Sequence, residues 1–326
     1  MIEVLFTPPL TSPPPLTSVQ DLGRDGFWYQ GLGRAGAMDT LAHRVANLLL
    51  GNDENAATIE CALTPAKLRF TTRQPFALVG AACGAQLDGV PLPRCYAGWA
   101  EAGAVLQLGP MQGGAHVYLA LAGGVDVPQV MGSRSTQLRE GFGGFQGRAL
   151  AAGDQIGAIG GAVALPPQGL SLALPPLGDV ITLRALPSSE HDSFEASSLE
   201  AFWSGAWQVT RERNRQGFRL EGQALTRHAT GELRSHGIVP GIVQVPGGGQ
   251  PIVQLADSAT MGGYPKIAAV IAADLWRIAQ AAPGTALRFE KVDLAEAAAA
   301  DAALCEQIAT IRRQIIAATT LYQSWS

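Results

Sequence analysis

The chain has 326 residues, 47% of them hydrophobic, with a formal net charge of −4 and only 15% Asp, Glu, Lys or Arg. An average soluble domain carries roughly 25% charged residues. The balance excludes a disordered chain, which is polar and charged, a basic nucleic-acid binder and a Lys/Glu-rich coiled coil.

In chain order, Met1-Ile2-Glu3 opens without the basic and apolar stretches of a secretory signal, which points to a cytoplasmic protein. Thr7 to Ser18 holds five prolines and reads as an extended loop insertion, because Pro cannot feed a sheet ladder. Gly33-Arg34-Ala35-Gly36-Ala37-Met38-Asp39 is a Gly-rich loop entering a helix. Such a loop can bind anions, or Asp39 can serve only as its N-cap. The helix spans Asp39 to Leu50, with Leu41, Val45, Leu48 and Leu49 on one stripe, His43 and Asn47 on the other face, and Gly51 past its end.

Short apolar runs then alternate with Gly-rich turns: Phe76 to Val79, Val105 to Leu108, His116 to Leu121, Ile181 to Leu183, Ile242 to Val245, Ile252 to Leu255 and Ile267 to Ile271. This spacing predicts many strands in barrels or sandwiches. Ala102 to Leu106, Ala152 to Ile156 and Pro283 to Leu287 echo one another as a turn feeding a strand. The uncharged stretches Ala102 to Val125 and Gln155 to Gly178 are broken by Gly and Pro, so neither gives the run of about 20 apolar residues that spans a bilayer. Gly160 to Gly178 is the candidate linker and predicts two domains, residues 1–170 and 171–326. Further helices are predicted from Asp274 to Ala282 and from Asp293 to about Thr319. The four cysteines, Cys61, Cys83, Cys95 and Cys305, lack C-x-x-C spacing and read as reduced thiols.

Three polar clusters stand out. Gly132-Ser133-Arg134-Ser135-Thr136 puts hydroxyls beside a guanidinium, as a carboxylate or phosphate clamp does and as a polar turn also does. Arg211 to Leu220, with Asn214 and Arg215, reads as a charged hairpin. The densest cluster is Gly241 to Lys266. Two apolar strands flank Gly247-Gly248-Gly249, followed by Asp257, Ser258, Thr260 and the turn Gly262-Gly263-Tyr264-Pro265-Lys266. Lys266 is one of three lysines in the chain. A lysine in a Gly-rich turn opposite Asp257 can steady an anionic oxygen, while a plain Asp257–Lys266 surface pair fits the same residues. A P-loop, a G-x-S-x-G elbow, an H-E-x-x-H pair and zinc-type histidine spacing are all missing. No Met-Lys pair occurs, so no covalent biotin of the usual carrier type is expected on this chain.

These segments resemble a known family. Val19-Gln20-Asp21-Leu22-Gly23-Arg24, Gly36-Ala37-Met38-Asp39, Ala46 to Asn52, Ala122 to Pro128, Gly132 to Thr136, Asn214 to Gly222, Gln250-Pro251-Ile252, Asp257 and Gly262 to Ala268 are similar, in order, to the biotin-dependent carboxyltransferase-like family. That family includes the C-type component of 5-oxoprolinase, proteins once labelled allophanate hydrolase subunit 2, and the carboxyltransferase domain of urea amidolyase. His236 stands where the family often has an acidic residue.

The resemblance implies a mainly β fold of two cyclophilin-like β-barrel domains, with a few short helices and a C-terminal helix. It implies a hetero-oligomeric enzyme in which this chain works with a smaller B-type 5-oxoprolinase protein and a separate A-type protein, using ATP with Mg to open 5-oxoproline to glutamate. It assigns catalytic roles to Lys266 and Asp257. It assigns substrate contacts to Asp39, Asn47, Arg134, Ser135, Thr136, Asn214, Arg215, Gln244, Gly262, Gly263 and Tyr264. Neither nucleic acid nor membrane is an expected partner, and no metal site is expected on the chain. Two other functions fit the same family: carboxyl transfer from carboxybiotin to a urea-like acceptor, and a binding protein that antagonises an inhibitor of a sensor kinase.

Overall fold

The computed structural model describes residues 1–8, 17–174, 177–228, 231 and 233–325. Most of the Pro-rich segment, residues 9–16, lies outside them, and its last two residues open the strand Thr17–Gln20. The chain forms two compact units. One comprises Met1–Arg24, Ala35–Pro176 and Cys305–Ser326, and the other Asp25–Arg34 and Leu177–Leu304. The chain crosses between the units near residue 176 rather than 170. A short early segment groups with the later unit, and most of the terminal helix groups with the earlier one.

The first unit is built from two sheets. The seven-stranded sheet runs Val125–Asp126, Gln155–Ala158, Ile2–Phe6, Ala66–Phe70, Val105–Leu108, Gln86–Leu87, Val90–Pro91. The six-stranded sheet runs Leu170–Ser171, Tyr96–Ala100, Gln74–Ala82, Gln112–Leu121, Thr58–Ala62, Thr17–Gln20. Ala66–Phe70 alternates buried and exposed residues, so Ala66, Leu68 and Phe70 face the core while Lys67 and Arg69 face water. Ile2, Val4, Leu68 and Phe70 from one sheet and Val19, Ile59, Phe76, Leu78 and Val117 from the other meet in a single apolar cluster. Gln74–Ala82 is buried along almost its whole length. One of its faces meets that core and helix α1 (Thr40–Leu49) packs against the strand.

Helix α1 starts where the sequence places it. The Asp39 carboxylate accepts from the Ala42 N–H at 2.9 Å. The turn before it is anchored inside the unit: the buried Glu60 carboxylate accepts from the Met38 N–H at 2.8 Å and from the Tyr118 hydroxyl at 2.7 Å, and that hydroxyl accepts from the Asp39 N–H at 2.7 Å. Gly51, just past the helix, has φ 69° and closes it in the left-handed region.

The second unit holds a closed seven-stranded barrel, in the order Val180–Pro187, Lys266–Val270, Ile242–Gln244, Ile252–Gln254, Gly217–Glu221, Trp207–Arg213, Ala286–Lys291. The first and last of these strands pair in parallel and the other neighbours are antiparallel. Inward positions alternate along the strands, so Leu183, Phe218, Leu220, Val243, Val253, Ile267 and Leu287 are fully buried. Helix α2 (Ala196–Ser204) lays Phe202 on Phe289, with ring centroids 4.5 Å apart. The Arg211 to Leu220 segment is the expected hairpin, and Ile242–Gln244 pairs with Ile252–Gln254 across the three-glycine turn.

The helix expected over Asp274 to Ala282 is shorter. A 3-10 turn, Ala272–Asp274, leads into α3 (Leu275–Ala279). Asp274 is used tertiarily: its carboxylate takes Arg184 at 2.9 and 2.7 Å rather than an N-cap bond. Helix α4 runs Leu294–Trp325, past the expected end, from a capping box in which Asp293 and Glu296 exchange bonds of 2.8 Å. The mainly β architecture with few helices and a C-terminal helix is thus present. The three echoed turn–strand units each place Gly at a positive φ, 90° at Gly103, 93° at Gly153 and 85° at Gly284, just before the strand. Among the described residues no helix is long and apolar enough to cross a membrane.

Candidate functional site

Lys266 is the centre of the most chemically loaded site. It opens a barrel strand directly after the Gly262-Gly263-Tyr264-Pro265 turn, and its side chain is 2% exposed. Its backbone N–H donates to Glu190 Oε2 at 3.0 Å, and its Nζ lies 3.8 Å from the same oxygen. Nζ is 2.5 Å from His236 Nε2 and 3.5 Å from the Tyr264 carbonyl. His236 Nε2 is 3.6 Å from Glu190 Oε1. Burial pushes the Lys266 ammonium below its usual range, and the Glu190 carboxylate works against that shift. The site therefore holds a buried amine, one carboxylate that favours its charged form against burial, and an imidazole with 42% side-chain exposure.

Glu190 is a residue of this candidate site that no sequence motif singles out. It sits just past the strand Val180–Pro187, on the turn that leads to the 3-10 segment His191–Ser193. Its partner is 76 positions away along the chain. An isolated acidic residue after a strand-ending Pro187 is the only local signal.

Gln244 lies beside Lys266 in the barrel register. Its Oε1 accepts from Gln254 Nε2 at 3.0 Å, and its Nε2 is 3.5 Å from the Tyr264 carbonyl. A Cβ at Gly262 would meet the end of the Gln244 side chain, which would have to shift to admit it. Tyr264 is 53% exposed, and its ring is open to a ligand. Next to this turn is a cavity of about 840 Å³ lined by Phe194, Arg227, Val245, the Gly247-Gly248-Gly249 turn, Tyr264 and Pro265 among others. Lys266 does not line it. Cavities of this size and mixed lining suit small ligands.

Asp257 differs from the expectation. Its carboxylate is held by Arg215, Oδ2 to Nε at 2.9 Å and Oδ1 to Nη2 at 3.0 Å, with both side chains buried. The barrel register explains this. Lys266 lies opposite Gln244 and Gln244 opposite Ile252, whereas Gln254, three positions before Asp257, lies opposite Gly217. Asp257 therefore belongs with the hairpin turn, where its N–H also donates to the Arg215 carbonyl at 2.9 Å. Asn214 is spent on that turn, its Oδ1 accepting from the N–H groups of Gln216 and Gly217 at 2.8 and 3.3 Å.

In the first unit the Ser-Arg-Ser-Thr cluster closes on Asp21. The Asp21 carboxylate accepts from Ser133 Oγ at 2.7 Å, Ser135 Oγ at 2.5 Å, the Arg134 N–H at 2.6 Å and the Gly23 N–H at 2.8 Å. The Thr136 hydroxyl donates to the Val19 carbonyl at 2.9 Å and Arg134 Nε to the Val127 carbonyl at 3.0 Å. These hydroxyls, fully buried at Ser135 and Thr136, work as an internal lock in this structure. Asn47 donates to the Ala56 carbonyl at 2.8 Å and accepts from Asn52 at 3.0 Å. His43, with Nδ1 2.9 Å from Thr58 Oγ1, is pushed down to about 4 by burial. Asp39 caps α1 as described. Among the described residues no group of three His, Cys, Asp or Glu side chains is placed to hold a metal ion.

Comparison with known proteins shows relatives over most of the chain. Residues 30–291 match the family described as carboxyltransferase domain, subdomain A and B. The chain is 46% identical over 286 residues to the 5-oxoprolinase C subunit of Escherichia coli K12, covering 86% of this chain and 90% of that one. It is 42% identical over 281 residues to the 5-oxoprolinase C subunit of Haemophilus influenzae, with the same coverage. The crystal structure of the K. lactis urea amidolyase superposes with a TM-score of 0.86 at 26% identity, over 95% of this chain and 20% of that much longer one.

Proposed function

This chain belongs to the carboxyltransferase domain family, subdomains A and B, and on that footing we propose that it is the C-type subunit of an ATP-dependent 5-oxoprolinase. The full-length similarity to two bacterial proteins of that name supports the reading. So does one structural observation: a buried lysine beside the Glu190 carboxylate, at the end of a Gly-Gly-Tyr-Pro turn.

The chemistry asked of the complex is demanding. The lactam of 5-oxoproline is a poor electrophile. Transfer of the ATP γ-phosphoryl group to its carbonyl oxygen releases ADP and activates the ring carbon. Water adds there, the ring C–N bond breaks with a proton passing to nitrogen, and a second water releases phosphate and leaves glutamate. Negative charge gathers on the carbonyl and phosphoryl oxygens throughout, and fixed cations and N–H donors lower that barrier.

Lys266 supplies such a cation. Glu190 favours its protonated form and positions it, and His236, 2.5 Å from Nζ, can pass a proton between it and solvent. Gln244, locked by Gln254, and the Gly262-Gly263 backbone face the same turn and suit an amide-like substrate. Arg215 and Asp257 brace the neighbouring hairpin. ATP with Mg enters as the complex's cosubstrate, alongside a smaller B-type and a separate A-type partner.

Carboxyl transfer is the second reading, favoured by the urea amidolyase superposition. Co-expression with the small partner and the A-type protein separates the two. The first reading expects glutamate from 5-oxoproline only when ATP is present. Glutamate-free ATP turnover, with carboxylation of urea by a biotinylated partner, overturns it.

A further inference from the structure

Arg213 is a buried cation without an anion. It ends the barrel strand Trp207–Arg213, and only 7% of its surface is exposed. Its Nε and Nη1 have no hydrogen-bond partner, and its guanidinium carbon stands 4.1 Å from the centroid of the Phe218 ring. No carboxylate pairs with it among the described residues. Arg215, two positions on and equally buried, is clamped by Asp257. The two arginines show what the protein does with a buried guanidinium it needs for architecture and what it does with this one.

An aromatic face is a weak substitute for the water a guanidinium loses on burial. Burial alone drives the Arg213 pKa down to about 10, so the group still carries its charge near neutrality. Buried charges are normally paired, and an unsatisfied one calls for an explanation, of which an ion or ligand that completes it is one.

The surroundings are built to hold Arg213 still. A bulge between Val209 and Arg213 sets it opposite Phe218, and bulges commonly re-aim side chains beside active sites. The turn that follows is fixed by Asn214 and by the Arg215–Asp257 ion pair. The guanidinium is therefore preorganised on a rigid element.

We propose that Arg213 is a binding residue for the carboxylate of a small acid. On the functional reading above, which this inference rests on, that acid is 5-oxoproline. The depth of Arg213 favours a small molecule over an acidic side chain of a partner protein, which would meet only its exposed edge. The guanidinium donates N–H bonds to the carboxylate oxygens. Phe218 beneath it excludes water from that contact.

The test compares the full chain with Arg213→Met and Arg213→Lys, by calorimetric binding of 5-oxoproline and of 2-pyrrolidinone, the same lactam without the carboxylate, together with thermal melts. In the wild type 5-oxoproline binds at least tenfold more tightly than 2-pyrrolidinone. Arg213→Met brings 5-oxoproline down to the 2-pyrrolidinone level, leaves 2-pyrrolidinone unchanged, and melts at the same or a higher temperature because an uncompensated charge is gone. Arg213→Lys retains part of the discrimination. Unchanged 5-oxoproline binding by Arg213→Met overturns the proposal, and so does a loss confined to capture of the small partner, which would assign Arg213 to a protein interface. If the wild type ignores both lactams, the same titrations are run on the complex with its partners, and silence there as well ends the 5-oxoprolinase reading without deciding Arg213. Arg213 is then judged by thermal shift with acetate and succinate: a rise in the wild type that Arg213→Met lacks sustains the carboxylate site, and equal responses end it.

Discussion

Asp257 binds Arg215 through two bonds of 2.9 and 3.0 Å, so the carboxylate nearest Lys266 is Glu190. This separates two functions that lie close together in the sequence. The Arg215–Asp257 pair holds the hairpin turn, and Glu190 sets the charge of Lys266. Breaking a buried pair by removing one partner leaves the other charge uncompensated and costs about 3–5 kcal/mol. Asp257→Ala is expected to lower stability by that order in urea melts of the isolated chain. The same change at an exposed ion pair such as Arg73–Glu101, Glu101→Ala, is expected to shift stability by less than about 1 kcal/mol.

Glu190→Gln tests the second function. Burial lowers the Lys266 pKa and Glu190 raises it. Removing the carboxylate leaves burial unopposed, so the ammonium loses its proton at lower pH. The alkaline limb of the pH–rate profile of the complex therefore moves to lower pH, with a smaller effect at the acid end. An alkaline limb that stays in place would detach Glu190 from the charge of Lys266.

Asp21 carries the third prediction. Four donors converge on its carboxylate, from Ser133, Ser135, Arg134 and Gly23. Ser135→Ala leaves part of that buried carboxylate unsatisfied and is expected to cost about 1–3 kcal/mol. The substrate KM of the complex should not move. A raised KM at full stability would give the hydroxyl back the ligand role its sequence context suggests.

His43 gives a pH signature. Its folded pKa is about 4 against roughly 6.5 in an unfolded chain. The unfolded state thus binds more protons between these values, and stability falls as pH drops from about 6.5 to 4. A shift of this size corresponds to about 3 kcal/mol. His43→Gln should flatten that part of the stability–pH curve, measured as denaturation midpoints from pH 7 to pH 4. A wild-type curve already flat over this window would contradict the buried neutral imidazole.

Much of the fold is legible in the sequence because it rests on local rules. Asp39 and Gly51 mark the ends of α1, Asp293 and Glu296 mark the start of α4, and the three-glycine turn marks its hairpin. The glycines before the three echoed strands are readable for the same reason. The pairing of charges is not legible, because it depends on barrel register. Asp257 and Lys266 are nine positions apart yet face different neighbours, while Glu190 reaches Lys266 across 76 positions. The Ser-Arg-Ser-Thr cluster looks like a clamp for a ligand since nothing local shows that Asp21 sits inside it. Arg213 gives no sequence signal either: in a run of arginines, only burial distinguishes the one that lacks an anion.

The central claim is that Lys266 stabilises the anionic oxygens of 5-oxoproline activation. Its most direct test is phosphate release by the assembled complex, with and without 5-oxoproline, for wild type and Lys266→Met. Fixed charges aimed at a developing oxyanion are typically worth about 10²–10³ in kcat. The predicted result is 5-oxoproline-dependent phosphate release that falls by that order in Lys266→Met, with assembly intact. Release at the wild-type rate by Lys266→Met, or release indifferent to 5-oxoproline in both proteins, would contradict it.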